Sequence, residues 1–196
     1  MVGAAAPPGL RRAAAAVAVL NLGYFGIEAT LALAIGSVAL FADSIDFLED
    51  AAVNTLILIA LGWGARWRAR VGAVLGGLIL FPTLATVWTA WEKLLEPAAP
   101  PALPLLLGGV GALVVNSVCA FLIAPYRARG GSLARAAFLS ARNDAIANAA
   151  IIAAAGVTAI TLSPWPDLVV GLGILVLNAR AAIEVWEAAH KEYRAG

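Results

Sequence analysis

Long apolar runs alternate along the chain with short charged or proline-rich interruptions. Six runs reach membrane length, at about 13–35, 38–62, 71–92, 103–125, 134–161 and 167–189, since a hydrocarbon core of roughly 30 Å takes about 20 helical residues at 1.5 Å each. The pattern predicts an all-α membrane protein with six transmembrane helices. Its interruptions have the chemistry of helix ends: GARWRARVG is charged, EPAAPPALP is rich in proline, YRARGGS joins charge to glycine, and LSPWPD sets two prolines before a new helix. This divides the chain into a short N-terminal segment (1–12), a membrane domain (13–190) and a short tail (191–196).

The arginines give the expected orientation. Arg11 and Arg12, then Arg66, Arg68 and Arg70, then Arg127, Arg129 and Arg135, then Lys191 and Arg194 fall on alternate ends of the spans, and the other ends carry little beyond Lys93. By the positive-inside rule both termini are cytoplasmic. Trp63, Trp67, Trp88, Trp91 and Trp165 lie near span ends, where an indole buries its ring and keeps its N–H wet. Two sets of three spans run in opposite senses, with the polar second helix matching the polar fifth; similarity between the halves is too weak to establish an inverted repeat.

Composition supports the bilayer reading: 62% of residues are hydrophobic, 13% are charged and mean hydropathy is +0.91. A net charge of +1 and the lack of a basic, aromatic-interleaved stretch exclude nucleic acid as a partner. Arg11-Arg12 followed by AAAAVAVL has the form of a secretory signal, but the apolar stretch continues past Asn21 and Glu28 to Gly36 without a processing site, which favours a first membrane helix. Cys119 is the sole cysteine and reads as a small packing residue. The compact, alanine-rich chain suggests a bacterial inner membrane.

Against this background the stretch ADSIDFLED is anomalous. At 100° per residue, Asp43, Asp46, Asp50 and Asn54 share an arc of roughly 80°, with Glu49 at its edge. Asp46 and Asp50 are one turn apart, about 6 Å of rise, so their oxygens can converge on one ion. In the fifth span, SARNDAIAN sets Ser140, Asp144, Ala147 and Asn148 on one face, with Arg142 nearly opposite Asp144. A mid-bilayer Asp costs about 2.5–3.5 kcal/mol, and three cost on the order of 8–10 kcal/mol. Neutral carboxyls bonded to Asn21, Asn54 or Asn148 as helix glue account for one such residue but poorly for three. The alternative is a divalent-cation site, in which the ion's charge offsets carboxylate desolvation and protons fill the site when the ion leaves.

The residues GSVALFADSIDFLEDAAVN resemble the second-helix signature of the cation diffusion facilitator (cation efflux) family, in which an acidic residue or His is followed four positions later by Asp, here Asp46 and Asp50. That family's fifth helix carries His, three residues, Asp, then Asn four later; this chain shows Ser140, Asp144 and Asn148. Asn21, Glu28, Asn116 and WPDLVVGL extend the likeness over all six spans. The resemblance implies a secondary transporter, not an enzyme: a proton-coupled exporter of zinc, cadmium, cobalt or manganese, working as a homodimer by alternating access, with no cofactor beyond its transported ion. It makes Asp46, Asp50 and Asp144 metal ligands. Ser140 replaces the usual His, leaving a fourth ligand open among Ser140, Asn143, Asp43 and water, and an oxygen-dominated site is less selective for zinc. The family's cytoplasmic C-terminal domain has no counterpart here, so dimerisation is expected from the membrane helices.

Other polar residues have plainer readings beside the functional ones. Asp43 is either an outer ligand or proton relay, or a water-facing carboxyl. Glu49 is expected to pair with Arg142, and Arg180 with Glu184. Asn21 and Glu28 link helices or support the site. Asp167 reads as a first-turn helix residue favoured by the dipole, and His190 as a solvated surface histidine. Proton-coupled export of an organic cation is the rival function; it calls for an aromatic-lined pocket, and only Phe41, Phe47 and Phe138 lie near the carboxylates in these two helices.

Overall fold

A computed structural model describes residues 9–60, 84–128 and 131–178. The regular structure in these residues is entirely helical: α1 (Leu10–Ile35), α2 (Val38–Ala60), α3 (residues 84–95), α4 (Ala102–Ile123), α5 (Gly131–Thr161) and α6 (Trp165–Asn178). Three of the helices are long and apolar enough to cross a membrane: Leu10–Ile35, Ala102–Tyr126 and Ala137–Thr161. At 23 residues α2 also has the length, about 34 Å, but carries four carboxylates. The six-span count and the cytoplasmic termini remain expectations.

Each described boundary has a local cause. Gly36 ends α1 in the left-handed conformation, φ 65°, ψ 36°, which a residue without Cβ adopts freely. The N–H groups of Gly36 and Ser37 both reach back to the Ala32 carbonyl, and α2 starts at once, making α1 and α2 a tight antiparallel hairpin. Pro100 and Pro101 precede α4, and Pro104 lies in its first turn, where backbone N–H groups lack helical acceptors anyway. A single 3-10 turn, Ala124–Tyr126, follows α4.

α1 packs along α2 and α4 along α5, while α1 also contacts α4 and α2 contacts α5. Around the bundle the order is therefore α1, α2, α5, α4. Two apolar layers fill it. Near the α1–α2 turn Ala32, Leu40, Leu105, Ile151, Ala155 and Ile174 pack together. Towards the opposite ends of the same helices Ala14, Val17, Ile57, Cys119, Ile123, Ala137 and Ala141 form a second cluster. The outer surface is apolar as well, with Phe121 80% and Ile160 85% exposed, as lipid-facing positions would be.

Helix approach depends on small residues, Gly171 and Gly111 among them. A methyl group at Gly171 of α6 would lie 2.8 Å from the backbone of Val38 and Ala39, so α6 touches the start of α2 main chain to main chain. One at Gly111 of α4 would collide with the Tyr24 hydroxyl of α1, which donates a 2.7 Å hydrogen bond to the Gly108 carbonyl.

Trp63, Trp67, Arg66, Arg68, Arg70, Arg129, the Arg180–Glu184 pair, His190, Lys191 and Arg194 lie outside the described residues, as do most of the expected third span and the last part of the sixth.

Candidate cation site

Between the two apolar layers, all four bundle helices turn polar. Asn21 and Glu28 of α1, Asp43, Asp46, Asp50 and Asn54 of α2, Asn116 of α4 and Asn148 of α5 are all buried. Helical period explains their convergence: Asp43, Asp46, Asp50 and Asn54 recur at three or four residues, and so do Ser140, Asp144 and Asn148.

At the α2–α5 contact Asp46 and Asp50 of α2 and Asp144 of α5 come close enough for their charges to act on one another. Ser140 stands between α2 and α5. Its hydroxyl is 3.5 Å from Asp144 Oδ2, too far for a firm O–H···O bond, and lies beside Asp50 as well. Asn21 flanks Asp50 from α1 and accepts from the Cys119 thiol at 3.4 Å. The Asn54 amide is turned onto its own helix, donating to the Asp50 carbonyl at 2.9 Å. Among the described residues no three carboxyl, imidazole or thiol groups stand in metal-gripping positions.

Asp43 is engaged differently. Asn116 Nδ2 donates to Asn148 Oδ1 at 3.0 Å, and Asn148 Nδ2 donates on to Asp43 Oδ2 at 2.5 Å, a chain from α4 through α5 to α2. On its other side Asp43 meets Glu28 of α1. Asn143 is exposed and accepts from Arg142 Nη2 at 3.2 Å. The expected Glu49–Arg142 pair does not form: Arg142 is exposed, and its guanidinium donates to Asn143, its neighbour along α5.

A second polar centre, which the sequence did not disclose, lies where α1, α2, α3 and α6 meet. Ser37 is the N-cap of α2: its Oγ accepts from Leu40 N–H at 3.1 Å and its hydroxyl donates to Asp167 Oδ1 at 2.6 Å. Asp167 accepts from Val38 N–H at 2.9 Å and Ala39 N–H at 3.2 Å, so a carboxylate from α6 satisfies the orphan donors of α2. Lys93 of α3 pairs with Asp167 at 3.2 Å and bonds the Gly36 carbonyl at the end of α1. Asp167 does sit in the first turn of α6, but the helix it serves is α2. Only its partners, some 130 residues away in sequence, reveal this.

A bundle with a lipid-like exterior and a layer of carboxyls between two apolar clusters is the architecture of a membrane carrier for cations. The family model described as Cation efflux transmembrane domain matches residues 14–189, and the chain belongs to the cation efflux family. It is thus an integral membrane protein that moves cations across a membrane, and a transporter in place of an enzyme. No curated protein matches it significantly.

Proposed function

We propose that the protein exports divalent metal ions of the zinc, cadmium, cobalt or manganese class in exchange for protons. Support comes above all from one observation: the Ser140 hydroxyl of α5 lies near both Asp50 and Asp144, and Asp46 of α2 interacts with Asp144 across the α2–α5 contact. Asp46, Asp50 and Asp144 bind the ion, and Ser140 or water completes an oxygen-rich shell that suits hard and borderline cations.

Three carboxylates in a low-dielectric layer cannot remain ionised without a cation. When the metal leaves, protons replace it, which couples the two fluxes through one site. Alternating access then consists of parting one apolar layer while the other stays packed. The wider reading includes six spans with cytoplasmic termini, a homodimer held by the lipid-facing helices, and a bacterial inner membrane.

The test is flux into proteoliposomes under an imposed pH gradient, with zinc, cadmium, cobalt, manganese and a cationic dye. Metal uptake that collapses in Asp50→Ala and Asp144→Ala is expected. Undiminished metal flux in both variants would remove the site assignment, and dye export without metal flux would favour the organic-cation reading.

A further inference from the structure

Glu28 and Asp43 form a second constellation, between α1 and α2 on the side of the α1–α2 turn. Both are 0% exposed, and Glu28 Oε1, Glu28 Oε2 and Asp43 Oδ1 have no hydrogen-bond partner. The two carboxyls nevertheless lie within hydrogen-bonding range of each other, a contact that either a proton on Glu28 or a bound cation would bridge. Two ionised carboxyls are acceptors only, so such an approach brings lone pairs together with nothing between them. Buried acceptors without donors are costly, and this pair has three of them in one place.

The surroundings favour an ionised Asp43. Asn116 fixes the Asn148 amide by donating to its oxygen, which aims the Asn148 NH2 at Asp43 Oδ2. A chain of donors ending on one oxygen leaves the other, Oδ1, facing Glu28. Among the described residues, the titratable groups that interact with this pair include Tyr24, Asp46 and Asp144, and none of these is a cation. Tyr24 directs its proton away, to the Gly108 carbonyl.

We propose that Glu28 and Asp43 form a second divalent-cation site, distinct from the Asp46–Asp50–Asp144 site and one turn closer to the α1–α2 turn. Glu28 supplies two oxygens and Asp43 one, and water fills the remaining positions. Two carboxylates balance the charge of one divalent ion, which removes the reason either would be costly to bury. An all-oxygen donor set suits hard ions such as manganese and gives zinc less of the advantage it has with imidazole or thiolate ligands. Because the second site lies beside the first, it serves as a waiting position on the ion's path.

The proposal rests on the metal reading of the protein, and stoichiometry separates the two. Manganese binding to the purified full-length chain in detergent is followed by the loss of the free-ion electron paramagnetic resonance signal, with zinc measured in parallel by equilibrium dialysis. The expected result is two manganese ions per chain, one in Glu28→Gln, one in Asp43→Asn and one in Asp50→Asn. A single ion in the unaltered chain, or two that persist in both Glu28→Gln and Asp43→Asn, would overturn the second site while leaving the first. No binding of either metal would remove the metal reading altogether and this proposal with it. A single metal ion whose binding releases one proton fewer in Glu28→Gln would likewise overturn it, since the pair would then hold a proton.

Discussion

Two buried polar centres lie along α2, and they are built on opposite principles. At the start of the helix, Asp167 receives an ammonium, a hydroxyl and two backbone N–H groups. Midway along, Asp43, Asp46 and Asp50 lie just as deep, with carboxyl neighbours and few donors. A satisfied buried charge fixes helices in place, whereas an unsatisfied one stores a demand for a cation. The contrast is therefore between a fastening and what we propose is a binding site, although burial alone would rank the two alike.

The difference is tested most strongly by neutralising each centre. Asp50→Asn is expected to bring metal flux to background while leaving the melting temperature unchanged or higher, because it relieves repulsion among unpaired acids. A marked loss of thermal stability would show that Asp50 is structural. Lys93→Met should do the reverse where folding is concerned, costing about 3–5 kcal/mol by leaving Asp167 buried without its counter-charge. Adding Asp167→Asn to Lys93→Met should recover most of that loss, which thermal unfolding of the double-mutant cycle would measure; no recovery would mean that the capping of α2, not the ion pair, dominates. Ser37→Ala is expected to cost about 1–2 kcal/mol, the usual range for a lost N-cap, with flux retained. Asn143→Ala should change neither flux nor stability, and a clear drop in metal affinity would make Asn143 the fourth ligand.

Much of the helical framework was legible because its punctuation is local. The expected spans 13–35, 38–62, 103–125 and 134–161 correspond to Leu10–Ile35, Val38–Ala60, Ala102–Ile123 and Gly131–Thr161, since Gly36 and the prolines near 100 act on the residues beside them. The α2–α5 meeting was legible for a related reason. Acids repeating every three or four residues must share a face, and a bilayer leaves that face nowhere to go but inward. The Lys93–Asp167 fastening was not legible, because its members are 74 residues apart and each has an ordinary local role as a span-end charge. Glu28 was noted as polar but not matched with Asp43, as nothing within α1 specifies which helix its face will meet. Arg142 was assigned to Glu49 on charge alone, whereas proximity along α5 gave it to Asn143.

The paired apolar layers above and below the carboxyls have an electrical consequence. An elementary charge crossing a membrane at 100 mV releases about 2.3 kcal/mol, so any continuous water file through the bundle would short-circuit the cell's proton gradient. Alanine, leucine and isoleucine packed around Leu105 and Ile151 on one side, and around Val17 and Ile123 on the other, act as insulation in series. The proposed exchange requires both layers to exclude water when the protein is idle, so that the acidic centre passes no current.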